Sequence, residues 1–353
     1  MKRTSLVGSL ALIPAAIVGC ASHTEQEARL LVVPVQWVGK TTEYCAGPRE
    51  RLLKNGRIDA HHRVKTADGV EIDVWVIKSR LRDEAANNEG SIFEGKITRG
   101  TVVMLHPLLA GKTWFLGMGQ KLADRGWDVV LMDLRGHGYS GGQYTTWGVK
   151  EKRDVKAVVD ELVKAEPISD RIYACGSSTG GSVAIQYAAT DPRCKGVIAV
   201  APPAGAIDIF RRVLCLLPEP RFEAALKQAG QMADFDPAGA SAVAAAGELS
   251  CPLILIHGSW DFLVPFRHSQ QIADAASGPK KLISLKCVGH ASEIGRTGWL
   301  TDQIDVLADM QRSEEPSVRT ITRARWRQNL RPWSPGMAGP SGGVGYAAGP
   351  AAR

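Results

Sequence analysis

No stretch of this chain is apolar for long enough to cross a bilayer. The longest candidate, Leu6 to Val18, falls well short of the roughly 20 residues a spanning helix needs. There is no CxxC pair and no His/Cys cluster, so no metal is implied. His61 and His62 are adjacent, but no third ligand has a suitable spacing and they read as surface strand residues. A strong charge on the body is also missing. The formal charge of +7 comes from Lys2, Arg3 and a tail, Glu315 to Arg353, with six arginines against one acid. The rest is close to neutral, so the basic balance gives no argument for nucleic acid. With 44% hydrophobic and 22% charged residues in 353, the chain is globular, one large α/β domain with extensions or two modest ones.

What is present begins with a leader. Lys2 and Arg3 precede the short apolar stretch, and Ile17-Val18-Gly19-Cys20 closes it, the pattern of a signal peptide over residues 1–19. Gly19-Cys20 resembles the bacterial lipobox, whose cysteine is diacylated and becomes the first mature residue. The alternative is a plain secretory peptide with an incidental cysteine. The resemblance implies a lipid-anchored envelope protein held to the membrane through Cys20, and Ala21 in place of aspartate implies the outer membrane, facing the periplasm. Six further cysteines allow fifteen pairings, and spacing cannot choose among them. Cys175, Cys251 and Cys287, in or beside predicted core strands, are expected as buried thiols.

Residues 20–57 read as a tether followed by a weak edge strand over Leu30 to Val38, interrupted by Pro34. Asp68-Gly69 between two β-prone runs predicts a hairpin, its second strand alternating Ile72, Val74 and Val76 with Glu71, Asp73 and Trp75 as a half-exposed strand would. After a charged loop over 79–99, strands and helices alternate: strands at Thr101 to Leu105, Asp128 to Met132, 171–175, Gly196 to Val200, Leu253 to His257 and Lys281 to Cys287. Helices are predicted at Thr113 to Arg125, Val149 to Ala165, Gly180 to Ala189, Arg267 to Ala276 and Leu300 to Gln311. Such alternation predicts a mostly parallel sheet covered on both faces, with its site beyond the carboxyl ends of the strands. Residues 203–250 break the rhythm with helical pieces that would form a cap. Its Leu214, Leu216, Leu217 and Phe222 either line an acyl pocket or pack the cap onto the body. From residue 313 onward Pro, Gly, Arg and Ala dominate, the composition of a disordered basic tail, solvated or touching anionic lipid.

Gly176-Ser177-Ser178-Thr179-Gly180 fits GxSxG between a buried strand and a helix. Either it is an ordinary glycine-rich turn, or Ser178 is a nucleophile lifted above the sheet. Gly138-Tyr139-Ser140-Gly141-Gly142 fits the same pattern without a following helix, so Ser140 reads as a loop serine. A serine hydroxyl needs a base and a carboxylate to orient that base. Asp261 just past one late strand and His290 just past the next supply both, in the order Ser, Asp, His.

Together with His106-Pro107-Leu108 and Asp133-Leu134-Arg135-Gly136-His137-Gly138, these segments resemble the serine α/β-hydrolase superfamily in order over residues 60–312. The resemblance implies an α/β-hydrolase domain over 58–312 with Ser178 as nucleophile, His290 as base and Asp261 as orienting acid. It implies the N–H groups of Leu108 and Thr179 as the oxyanion hole, and no cofactor. Proline at 107, where many members have glycine, removes one N–H and leaves Leu108 as the donor. His137 and His257 read as structural, and His106 shapes the oxyanion loop. Three functions follow for test: hydrolysis of carboxylic esters, an acyl or ester small molecule being the partner; a peptidase resembling proline aminopeptidases, with cap acids Asp208, Glu219, Glu223, Asp234 or Asp236 binding the amine; and a non-catalytic scaffold. The sequence does not speak to oligomeric state.

Overall fold

The computed structural model describes residues 22–34, 36–81, 98–290 and 297–314. The signal peptide, Cys20, most of the charged loop and the basic tail lie outside them. Eight strands form one sheet in the order β1-β2-β4-β3-β5-β6-β7-β8. They are β1 (Ala60–Lys65), β2 (Glu71–Ile77), β3 (Thr101–Leu105), β4 (Asp128–Met132), β5 (Ile172–Ser177), β6 (Cys194–Val200), β7 (Leu253–Gly258) and β8 (Lys280–Leu285). β1 and β4 each pair antiparallel with β2, and every other pairing is parallel. The central strands read as continuous apolar runs because helices cover both of their faces.

The predicted hairpin is present, with Val64 opposite Ile72 and Lys65 opposite Glu71. β2, however, is not half-exposed: every residue after Glu71 is buried, Asp73 and Trp75 included. Part of the cover is Phe115, Leu116, Met118 and Leu122 after β3, and part lies upstream, where the expected tether and edge strand are instead three helices, α1 (His23–Val32), α2 (Gln36–Ala46) and α3 (Arg49–Lys54). Ser22 caps α1 by accepting from the Glu25 N–H, and Pro34 separates α1 from α2. α1 buries Ala28, Leu31 and Val32 against the cap, and Trp147 donates its indole N–H to the Leu31 carbonyl. α2 lies so close to the loops after β3 and β4 that a Cβ on Gly39 would sit 2.8 Å from the Gly138 Cα.

Beneath α2, Lys112 is buried with its ammonium against Glu43, 2.8 Å from Asp73 and 2.8 Å from Asp133. It also stands 4.6 Å from the centre of the Trp75 ring. Burial alone would lower the Lys112 pKa, but the three carboxylates raise it above the ordinary lysine range. At Glu43 burial wins over charge and pushes the carboxyl up against the pull of Lys112. His61 is not a bare surface residue either, its Nε2 lying 2.8 Å from Asp73.

Downstream, α4 (Leu116–Asp124) follows a 3-10 turn over Lys112–Phe115, and α5 (Glu151–Ala165) and α6 (Thr179–Ala188) fill the crossovers. The cap interrupts after β6 with α7 (Ala206–Val213), α8 (Glu219–Ala233) and α9 (Ala242–Gly247). α10 (Arg267–Ala275) and α11 (Thr297–Glu314) complete the covering layers. Leu214 and Phe222 are buried against α1 and Leu217 packs beside them, so these cap residues serve packing, whereas Leu216 is 95% exposed. Cys175 and Cys251 are buried as expected, and burial pushes the Cys175 thiol up to about 12. Cys287 is instead exposed, in the turn after β8. No described helix is long and apolar enough to cross a membrane.

Candidate active site

Ser178 sits between β5 and α6 with φ 51° and ψ −120°, outside the regions open to an unstrained residue, at a cost of about 1–3 kcal/mol. Its neighbours show what that turn demands. A Cβ on Gly176 would lie 2.1 Å from the Gly180 carbonyl oxygen, and one on Gly180 would lie 2.1 Å from the Leu105 carbonyl oxygen. The two glycines of GxSxG are the places where backbone crosses backbone. The turn is pinned by the Ser178 N–H donating to the Val200 carbonyl at 2.7 Å.

His290 Nε2 lies 2.9 Å from Ser178 Oγ, and its Nδ1 lies 2.6 Å from Asp261 Oδ2. The three predicted residues therefore form one chain of hydrogen bonds. An ionised carboxylate can only accept, so Nδ1 carries the proton, and the Nε2 lone pair is left facing the serine hydroxyl. Asp261 and His290 follow adjacent strands, β7 and β8, and their loops are cross-bonded: Trp260 N–H to the Val288 carbonyl at 2.9 Å, and Cys287 N–H to Ser259 Oγ at 3.0 Å.

Burial pushes the Asp261 carboxyl up, but hydrogen bonds from His257 and His290, the charge of His290 and the Val264 N–H outweigh it and hold it at about 2. Oδ1 takes the Leu263 and Val264 N–H groups at 3.0 and 2.8 Å. His257 is fully buried, with Nε2 at 2.7 Å from the Val264 carbonyl and 3.2 Å from Asp261 Oδ2. A carbonyl accepts only, so Nε2 bears the proton, and that proton also faces the carboxylate. Ser269 Oγ, 2.7 Å from Nδ1, completes the ring's bonding. His257 is a structural residue as expected, but what it supports is the acid. Ser269, twelve residues on in α10, carries no sequence signal for this part.

On the other side of Ser178, His106 is fully buried and its Nε2 accepts the Leu134 N–H at 2.9 Å, which leaves Nδ1–H to donate to the Pro107 carbonyl at 2.8 Å. Burial lowers its pKa to about 3, so it stays neutral and staples the loop of Leu108 to the loop after β4. Thr179 is the first residue of α6, a position whose N–H has no intrahelical acceptor, whereas the Gly181 N–H already donates to the Ser178 carbonyl at 2.9 Å. His137 is buried, and burial lowers its pKa as well. Ser140 donates to the Asp133 carbonyl at 2.7 Å and accepts from the Asp73 N–H at 2.9 Å, the bonding of a structural serine. Glu43, Asp73 and Asp133 bring ligand atoms within 4.8 Å of one another, but Lys112 already supplies their cation.

Solved structures carry the same architecture. The Pyrococcus furiosus esterase Pf2001 superposes with a TM-score of 0.55 at 22% identity, over 72% of this chain and 95% of that one. The fold is that of the α/β-hydrolases. An acylaminoacyl peptidase from Pyrococcus horikoshii shares it with a TM-score of 0.52 at 16% identity, over 72% of this chain and 42% of that protein. The model of the serine aminopeptidase S33 family matches residues 96–218, a span that includes Ser178 and ends before Asp261. Among curated sequences, the uncharacterized protein YqkD of Bacillus subtilis is 25% identical over 253 residues, 69% of this chain and 80% of its own length.

Proposed function

We propose that this protein is a serine hydrolase that cleaves carboxylic esters through an acyl-enzyme. The observation that carries the reading is the unbroken relay from Ser178 Oγ to His290 at 2.9 Å and from His290 to Asp261 at 2.6 Å. Ser178 Oγ attacks the ester carbonyl carbon while His290 Nε2 takes the hydroxyl proton, and the Asp261 carboxylate steadies the imidazolium. The oxyanion that forms is assigned to the N–H groups of Thr179 and Leu108. The C–O bond then breaks, the alcohol leaves with the proton from His290, and a water activated by the same nitrogen releases the acid. No cofactor takes part.

The family match and the peptidase among the structural neighbours keep a second reading in view, an aminopeptidase that grips a free amine with acids of the cap. Those acids do not favour it. Asp208, Glu219, Glu223, Asp234 and Asp236 are all exposed. Glu219 is taken up by Arg211 and Asp234 by Lys150, while Glu223 and Asp236 line a 710 Å3 groove in the cap that does not include Ser178. A binding scaffold without catalysis would have no need to keep Ser178 in strained geometry.

From the leader pattern and the Gly19-Cys20 pair we also propose a bacterial envelope protein, with residues 1–19 a signal peptide, Cys20 lipidated, the outer membrane as destination and residues 313–353 a basic tail. The test of substrate class is turnover of p-nitrophenyl acyl esters of increasing chain length against aminoacyl amides. The expected result is ester turnover that falls about 10⁴-fold or more in Ser178→Ala, with the amides untouched. Faster turnover of the amides would move the assignment to the peptidase.

A further inference from the structure

We propose that the rim around Ser178 rests on a phospholipid surface, so that substrate enters from the membrane side. Substrate entry from that side rests on the hydrolase reading above; the contact itself does not. Large apolar side chains stand exposed there: Leu109, Tyr139, Leu216, Trp260, Phe262 and Leu263. They belong to the loops that leave β3, β4 and β7 and to the turn between α7 and α8, the segments that also carry Leu108 and Asp261. Leu216 is 95% exposed and Phe262 75%, and large apolar side chains gathered in water mark a contact surface. Arg212 donates to the Phe262 carbonyl, which ties the end of α7, and Leu216 just beyond it, to the loop of Asp261.

The chemistry of this rim fits a headgroup layer better than a protein partner. Trp260 and Tyr139 combine a broad ring with a polar tip, the kind of side chain that settles at the lipid–water boundary. Cations accompany them, Arg212 at the Phe262 carbonyl and Lys40 with its ammonium 5.8 Å from the Tyr139 ring centre, placed to meet lipid phosphates.

The path of the chain supplies an independent line. α1 packs on cap helix α8, where Leu31, Phe222 and Ala225 share one apolar cluster and Arg221 pairs with Glu27. Ser22, which caps α1, follows Cys20 by two positions in the sequence. An acylated Cys20 held at a bilayer would therefore keep α1, and the cap it packs on, close to the same membrane. Among the described residues no helix is long and apolar enough to cross a membrane.

Hydrogen–deuterium exchange of the full chain, with and without vesicles of phosphatidylethanolamine and phosphatidylglycerol, tests this. The expected result is slowed exchange in residues 108–110, 214–217 and 259–264 with the sheet unchanged. Slowing confined to residues before 34, or none, overturns it. In a Cys20→Ser background, Leu216→Asp with Phe262→Asp is expected to weaken vesicle partitioning at least tenfold while leaving fluorophosphonate reactivity in solution intact; unchanged partitioning overturns it. Loss of a vesicle-free dimer in the same double variant would make the rim a self-association face and also overturn it. If the parent chain itself does not react with fluorophosphonate, the hydrolase reading fails while the vesicle comparison still decides the contact.

Discussion

Asp261 receives four donors, and the balance between them and burial sets its charge. Its carboxyl is held at about 2, below the ~3.9 of an unfolded chain. The stability it contributes is therefore complete above ~3.9 and lost as the pH falls through about 2. His257→Leu removes the Nε2 donor 3.2 Å away and should raise the Asp261 pKa, read by carboxyl carbon NMR. The same change should lower kcat for an ester about tenfold, the worth of one charge-assisted hydrogen bond, at unchanged KM. His257→Gln, whose amide nitrogen can stand near Nε2, should recover most of both. A loss common to both variants, with no change at the carboxyl, would reduce His257 to core filling. Lys112 invites a second test, because Lys112→Met leaves three buried carboxylates without their cation. It should cost about 3–5 kcal/mol in urea unfolding. The raised pKa of Lys112 means that its contribution is complete below ~10.4 and declines only as the pH climbs through the higher folded value. A stability within error of the parent at neutral pH would contradict this account of the cluster.

At the scale of elements, the strands and crossover helices of the body were readable because a parallel strand covered on both faces has only apolar side chains to show. Val102 to Leu105 and Leu253 to Ile256 are such runs. Ser178 could be told from Ser140 by the helix that follows it. The first helices were not readable, since α2 mixes Thr, Lys, Glu and Tyr and buries Glu43 for the sake of a lysine about seventy residues away, a contact no local period records. Nor could the alternation in β2 reveal that Asp73 is covered, because the cover is α2 itself. These helices make a prediction: limited proteolysis of the folded chain should leave residues 22–57 attached, protected like the cap they touch. Rapid removal of that segment, with the remainder stable, would return it to the role of a tether.

For the whole molecule, the sheet gathers at one edge residues widely spaced along the chain, and it does so by strand order. Ser178 directly follows β5, Asp261 and His290 lie in the loops just after β7 and β8, and Leu108 lies in the loop after β3. That the sheet is mostly parallel, with its site beyond the carboxyl ends of the strands, was legible from the alternation; the strand order was not. A helical insertion over 203–250 was legible as well, but what its apolar residues do was not, because Leu214 and Phe222 look the same in sequence whether they line a pocket or anchor a cap. The central claim is that the hydroxyl of Ser178 is activated by His290, and covalent capture reads this most directly. Fluorophosphonate treatment followed by peptide mass mapping should place one adduct on Ser178, with labelling abolished in Ser178→Ala and slowed by orders of magnitude in His290→Ala. An unmodified Ser178 in a chain shown to be folded, or an adduct that forms equally well without His290, would contradict the claim.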